Sequence, residues 1–486
     1  MSIGLLNLVN IGKENIYLSS NPEITFFKTV YKRYTNFSIE QIPQFFNTTP
    51  DFNKKCSIVI GKNADLIHKM YLYIELPEIN IINDKFKWSD KIGLVLIKQI
   101  EINIGGITID KHCMEWLNIW NELTIPINKR KSYNIMICNT DDEHIYKNNV
   151  KKKILYIPLI FWFCNNIGSA LPIISLKNND IKIYIEFNDI DKCYNISPSN
   201  YININENYCL FKNDELIYQY VNNNKIIGKF NYFDFKEKKL YYTKLKDIFI
   251  IPKNNENVGL TITNDDNSFT VSIKLNSVVI DNKIFNEYNK PSILTAYMLI
   301  DYIYIDNEER KRYLKNELDY IITYVQTVPE RLLNTIYTTY TLPLYNCVKL
   351  LCWRTISKNN RITNNHFIYN NQYFVDNNDI INNNLLILNS INITELNHNI
   401  FYTFLQKYLY NYKNINSKIY SYSFAINPIC DEITGSINFS MLNESYLKLS
   451  LTDSVNFNNS VYIQAFALTY NIIRVKDGEL NLLFDA

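Results

Sequence analysis

Two short runs, Gln99–Ile104 and Ile107–Asp110, each place an apolar residue at every second position, and only Gly105-Gly106 separates them. Alternation sends successive side chains to opposite faces of a strand, and adjacent glycines supply the positive φ angles of a tight two-residue turn. The segment is therefore read as a β-hairpin with one buried face. Ile181-Lys-Ile-Tyr-Ile-Glu-Phe187 alternates strictly as well, which predicts a second strand lying on the same kind of core. Cys56–Ile60, Tyr71–Leu76 (closed by Pro77), Phe269–Leu275, Leu294–Ile305, Ser436–Ser440, Tyr446–Leu451 and Val461–Leu468 are further β-rich runs.

Composition points the same way. The chain has 38 Tyr and 26 Phe and is heavy in Ile, residue types that suit pleated, half-buried surfaces. It has only 11 Gly, so Asn, which tolerates left-handed backbone, is expected to make many of the turns. Helical signals are few. Asn21-Pro22 followed by Ile24, Phe27, Tyr31 and Tyr34 predicts a short amphipathic helix after an extended arm over residues 1–20. Trp116, Ile119, Trp120 and Leu123 predict a short helix beside the hairpin. Asp306-Asn-Glu-Glu309 has the form of a capping box, and Leu314, Leu318, Ile321 and Val325 continue from it at helical spacing. No blade-like period of about 40 residues appears, so tandem sandwiches fit better than a propeller.

At 486 residues the chain calls for two domains. Lys plus Arg number 50 against 48 Asp plus Glu, which lacks the basic excess of a nucleic-acid coat or membrane-surface binder. Lys151-Lys152-Lys153 is read as a solvated loop before a strand. The nine cysteines are scattered and contain no C-x-x-C pair, which suggests reduced thiols rather than a disulfide framework or zinc site. The start of the sequence shows no basic segment followed by an apolar core, and the most apolar run, Ile154–Cys164, is far shorter than the roughly 20 residues of a spanning helix. The sequons at Asn36, Asn47 and Asn392 are what an Asn-rich chain produces by chance.

Chemistry is equally sparse. The five histidines (His68, His112, His144, His366 and His398) form no H-x-x-H or H-E-x-x-H pattern, and His112-Cys113 lacks the spacing of a dyad. Glu308-Glu309 could suggest paired carboxylates acting on sugars, but capping of the following helix explains them more simply. No P-loop or dinucleotide fingerprint is present. No catalytic, cofactor-binding or metal-ligating residue and no cofactor is expected.

Several stretches resemble one known family. Ile16–Phe37 (IYLSSNPEITFFKTVYKRYTNF), Ile104–Thr124 (IGGITIDKHCMEWLNIWNELT) and Tyr156–Pro172 (YIPLIFWFCNNIGSALP) are similar to the major capsid protein of nucleocytoplasmic large double-stranded DNA viruses, the group that includes mimivirus-like and iridovirus-like viruses. Asp301–Arg310, Gly435–Ser440 and Tyr470–Gly478 continue the resemblance in family order. Three places depart from it: Met441 stands where the family usually has Arg, Cys347 where it commonly has Pro, and Glu479–Phe484 replaces a Gly-rich finish.

The resemblance implies an all-β double jelly roll, two tandem eight-stranded sandwiches with a few short helices and long loops. The expected layout is an arm over 1–25, a first jelly roll over 26–290 with a long insertion at about 190–290, and a second over 291–486 with an Asn-rich loop at about 364–389. It implies a capsid protein of the virion, made in the host cytoplasm, whose homotrimers tile an icosahedral shell. Implied partners are neighbouring capsomers, minor or cement proteins and penton proteins, with contact to an internal viral membrane left open and no direct nucleic-acid contact. Trp116, Trp120, Phe161 and Trp162 are read as core or trimer-interface packing. Two alternatives remain at this point: a minor capsid paralogue at special shell positions, suggested by the departures, or a carbohydrate-binding, adhesin-like sandwich.

Overall fold

The computed structural model describes residues 5, 9, 12–29, 33–81, 84–221, 224–246, 249–250, 261–265, 267–274, 280–281, 285, 289–369, 379–395, 397–410, 412–413, 418–453, 455–457 and 459–484. The main strands of the first part of the chain are β1 (Phe37–Phe45), β2 (Lys55–Val59), β3 (Leu66–Leu76), β4 (Ile97–Ile104), β5 (Ile107–Cys113), β6 (Lys153–Pro158) and β7 (Ile181–Phe187). An inserted segment follows with β8 (Asn200–Asn203), β9 (Leu216–Val221), β10 (Asn224–Asp234), β11 (Lys239–Lys246), β12 (Thr261–Asn264), β13 (Thr270–Ser272) and β14 (Ile280–Asp281). β15 (Thr295–Ile305) then returns to the first sandwich, whose two sheets run β1-β15-β3-β6 and β2-β7-β4-β5.

The hairpin falls where alternation predicts it. Ile181, Ile183 and Ile185 of β7 lie opposite Ile104, Ile102 and Ile100 of β4, and all six are buried. Gly105 and Gly106 have φ of 60° and 91°. A Cβ on Gly105 would sit 2.3 Å from Asn179 Nδ2, so a larger residue there would have to displace that side chain as well as adopt a positive φ.

The main strands of the second sandwich are β16 (Leu318–Thr327), β17 (Tyr337–Thr341), β18 (Cys347–Ser357), β19 (Ile381–Leu388), β20 (Ile391–Asn392), β21 (Tyr420–Ser423), β22 (Ser445–Leu451) and β23 (Val461–Lys476), with short strands at Arg331–Leu333, Asn397–His398, Ile437–Asn438 and Glu479–Leu482 pairing beside them. Its sheets run β16-β23-β18-β21 and β17-β22-β19-β20. In both sandwiches one sheet joins the first, last, third and sixth strands, and the other joins the second, seventh, fourth and fifth. That shared order is the jelly roll, and the chain folds it twice.

Several expectations need correction. β15 pairs with β1 and β3, so residues 295–305 belong to the first sandwich rather than the second, as an expected boundary at 291 would have had it. The reason is long-range pairing across the insertion, which no local pattern reveals. The insertion carries a seven-stranded sheet, β13-β12-β9-β10-β11-β8-β14, over its own core of residues such as Ile202, Phe230, Tyr242 and Ile262. The expected insertion is thus a packed unit of its own. The stripe from Leu314 to Val325 is helical only as far as Lys315, the end of the helix Asn307–Lys315; Leu318, Ile321 and Val325 lie on β16.

At the N-terminus a helix, α1 (Lys13–Ser19), occupies part of the expected arm. The expected helix over 21–34 does not form at its described residues; Asn21 is left-handed at φ 50°, and Tyr31 lies outside the described residues. Ile24, Phe26, Phe27 and Tyr34 are exposed, Phe27 at 98%, and a short helix without a packed face has little to stabilise it. Of the expected 364–389 loop, residues 370–378 lie outside the described residues, and Ile381–Leu388 is strand β19.

Candidate assembly surfaces

The two sandwiches meet within the chain at a packed junction. Helix α2 (Met114–Thr124) leaves β5 directly, and its end is set by Ile125 before Pro126, a position biased to extended backbone. Trp116, Ile119, Trp120 and Leu123 cluster with Val325, Leu350, Cys352, Phe466 and Leu468 from β16, β18 and β23. The rings of Trp116 and Phe466 lie 5.8 Å apart. α2 therefore roofs the outer face of a sheet whose inner face packs on its own sandwich, and β18 is buried on both sides. Helix α3 (Ile127–Met136) follows and has no buried residue. Phe161 and Trp162 pack in the first sandwich, so of the four singled-out aromatics only Trp116 and Trp120 sit at the junction.

Polar groups lock the same junction. Arg354 on β18 is 2% exposed; its Nη2 donates to Gln464 Oε1 at 2.9 Å and to Glu115 on α2 and Glu330, each at 3.2 Å. Burial pulls its pKa down, but the Glu115 carboxylate foremost, then Tyr369 and Glu330, more than offset this, so the guanidinium stays charged. Asp110 on β5 accepts the Val325 N–H through Oδ1 at 3.0 Å and holds His112 Nε2 through Oδ2 at 2.9 Å. Asn364 Nδ2 donates to the carbonyls of Asp191 and Tyr194, both at 2.8 Å. A cleft of about 590 Å³ lies along this seam, lined by Gln99, Asp110, Lys111, Gln326, Gln464 and Phe484 among others.

Two lysines are buried in the second sandwich. Burial pushes Lys407 down to about 7, and pushes Lys349 down to about 8 against the opposing pull of Asp431. Lys349 Nζ donates to the Cys430 carbonyl at 3.1 Å. Sequence reasoning singled out none of Arg354, Lys349 or Lys407; the available signal was two cations inside the apolar run Cys347–Ile356.

The other residues raised by the sequence have structural roles. His112 is buried with its ring stacked on Phe161 at 5.0 Å. His68 Nδ1 lies 2.6 Å from the Phe163 carbonyl, and His144 Nδ1 2.8 Å from Asp90 Oδ1. Asp306 caps helix α4 (Asn307–Lys315), accepting the N–H groups of Glu308 and Glu309 at 3.0 and 2.9 Å. Lys152 and Lys153 pair with Glu75 and Glu143. All nine cysteines are free thiols, and burial raises Cys138 and Cys209 to about 11 and Cys352 to about 12. Among the described residues no three His, Cys, Asp or Glu side chains gather to hold a metal, and no helix is long and apolar enough to cross a membrane.

Comparison with known proteins supplies the family. Residues 25–223 match the profile for the major capsid protein N-terminus, and residues 309–480 match that for the large eukaryotic DNA virus major capsid protein. A probable capsid protein 4 of Acanthamoeba polyphaga mimivirus is 32% identical, over 98% of this chain and 98% of its own length. The chain belongs to the major capsid protein family of large eukaryotic DNA viruses. It is thus a structural capsid protein, a component of the virion, and not an enzyme. The major capsid protein of Pyramimonas orientalis virus is 45% identical over 39% of this chain, which spans about half (48%) of that relative. In fold, this capsid protein matches the Faustovirus major capsid protein with a TM-score of 0.68 at 10% identity, covering 96% of this chain and 94% of that one. It matches the PBCV-1 virus capsid chain at 0.65 and 20% identity, covering 95% and 100%. The shared fold is the double jelly roll.

Proposed function

We propose that three copies form one capsomer and that such capsomers tile an icosahedral shell. The observation that carries this reading is the repeated strand order, one sandwich of each kind per chain, locked together by α2 and Arg354. Three such chains present six similar units around an axis, and that outline fills a six-fold lattice although the particle is a trimer. Jelly rolls suit many-copy assembly because they keep strand edges short or covered. Neighbouring capsomers, minor or cement proteins and penton proteins are the partners in this reading, the host cytoplasm is the site of synthesis, and the near-neutral charge argues against direct nucleic-acid contact.

The insertion between β7 and β15, with its own core, is the unit best suited to face outward, since it leaves both sandwiches intact. Proteolysis of assembled particles should cut there first; full protection contradicts the assignment. The N-terminal segment, with Phe26 and Phe27 exposed, is assigned to the inner side or an intersubunit contact, facing an internal membrane if one is present. Removing residues 1–20 should leave folded protein that assembles poorly.

A second reading is a minor capsid paralogue at special shell positions. It is favoured by the full-length similarity to probable capsid protein 4 of the mimivirus, against 40% coverage of this chain by capsid protein 1 of the same virus. Counting the protein in purified particles separates the two readings. Light scattering on the purified chain tests the capsomer itself: a stable mass of three chains supports it, and a mass of 57.5 kDa at all concentrations overturns it.

A further inference from the structure

The two sandwiches share a strand order but differ in what covers them. In the second, the outer face of β16-β23-β18-β21 is roofed by α2, which follows the fifth strand of the first sandwich. The helical segment Phe401–Leu409 follows the fifth strand of the second sandwich, so it is the counterpart of α2. Its inner side is buried through Tyr402, Thr403, Gln406 and the cation Lys407. Its outer side is apolar and bare: Ile400, Leu405, Tyr408 and Leu409 are exposed, Tyr408 at 76% and Leu409 at 55%. α2, with a sheet on its far side, has no such bare face.

Among the described residues no element covers the matching sheet face. On the outer side of β1-β15-β3-β6 one aromatic from each strand stands in register: Phe45 opposite Tyr297, Tyr297 opposite Tyr73, Tyr73 opposite Tyr156. Their rings form a continuous row, with centroids 5.8, 4.4 and 5.2 Å apart. Phe45 is 67% exposed and Tyr156 40%. The row is bordered by polar pairs already satisfied within the chain, Gln41–Asp301 at 3.0 Å and Lys152–Glu75 at 2.7 Å. An apolar centre inside a polar rim is the anatomy of a protein interface.

We infer that this row receives the segment Phe401–Leu409 of a second copy of the chain. The occupant follows from the molecule's own internal contact. The first sandwich offers its helix to the second within a chain; the second carries a helical segment at the same point of its strand order. Although the residues after that segment pack at the α2 junction, with Lys413 N–H donating to the Leu123 carbonyl at 2.9 Å, its Leu405, Tyr408 and Leu409 stay exposed and are matched in kind by the first sandwich of a neighbour. Repeating the same contact head to tail alternates inside and between chains, and after three chains the ring can close. This inference rests on the trimer reading above and adds which surfaces make it. The surface groups match in kind, since both are apolar and aromatic and neither brings an unpaired charge to the contact centre.

The test uses the full-length chain and two readouts. In light scattering, wild type and the control Phe235→Asp, on the exposed turn of the insertion, should show the mass of three chains. The double variant Tyr408→Asp, Leu409→Asp should fall threefold, to the 57.5 kDa of one chain. In the second readout, the pair Tyr408→Cys with Tyr297→Cys, mildly oxidised, should give covalent dimers and trimers on a non-reducing gel that wild type does not give. This readout decides the matter if the charged variant fails to fold. A trimer that persists in the double variant, with no cross-links from the cysteine pair, overturns the proposed contact and leaves the trimer standing. A wild-type protein of single-chain mass overturns both.

Discussion

The first and second sandwiches have the same strand order and are held together by different chemistry. The first is filled by regularly alternating aliphatic residues: Ile100, Ile102, Ile104, Ile181, Ile183 and Ile185 face inward in register. The second also has an apolar core between its sheets, with Val348, Leu351, Trp353, Leu386 and Leu447, but it buries three cations around that core: Lys349, Lys407 and, at the junction with the first sandwich, Arg354. An aliphatic core draws its stability from area removed from water. A buried cation contributes only while its partners are in place and otherwise costs free energy. The difference teaches that the topology sets where strands lie but not what stabilises them. The second sandwich is clasped to the first through the Arg354–Glu115 pair rather than standing as an independent block.

This contrast can be broken by substitution. Arg354→Ala leaves Glu115 and Glu330 without their shared cation and should cost about 3–5 kcal/mol in urea denaturation; the contrast fails if it costs no more than Ile185→Val, expected at about 1 kcal/mol. Trp116→Ala should cost about 3–4 kcal/mol and should lower the cooperativity between the two sandwiches, seen as a split of one thermal transition into two. A single unshifted transition would mean that α2 does not couple them.

A smaller effect concerns pH. Lys407 titrates near 7 when folded, below the usual lysine value of 10.5. Between those values the unfolded chain binds more protons, so this group's penalty is fully present below pH 7 and shrinks as pH rises towards 10.5. From pH 7 to pH 9 wild type should therefore gain on the order of 2 kcal/mol relative to Lys407→Met, and Lys407→Met should be the more stable chain at pH 7. Equal slopes against pH would show that Lys407 does not titrate in this window. The smallest expected effect is at the cap of α4, where Asp306→Ala should cost about 1 kcal/mol, measured as a lowered melting temperature.

Much of this was legible in the sequence, for identifiable reasons. Strict alternation in Gln99–Ile104 and Ile181–Phe187 and the Gly105-Gly106 pair are local signals, and they marked the hairpin and its neighbour. The Trp116–Leu123 spacing marked α2, though not that its far side would roof another sheet. Leu314–Val325 misled because apolar residues three or four apart also occur when a helix ends and a strand begins. β20 has two residues, too few for any period to show. β15 was legible as a strand, but its place beside β1 depends on a pairing across about 250 residues of chain. The assembly surfaces were the least legible part: the Phe45–Tyr156 row exists only after four distant strands come into register.

Imaging purified protein by cryo-electron microscopy, viewed down the particle axis, tests the central claim most directly. The account predicts a closed ring of six similar densities with three-fold symmetry, the insertions projecting from one end. Isolated two-lobed particles, or rings with any other number of lobes, would contradict it.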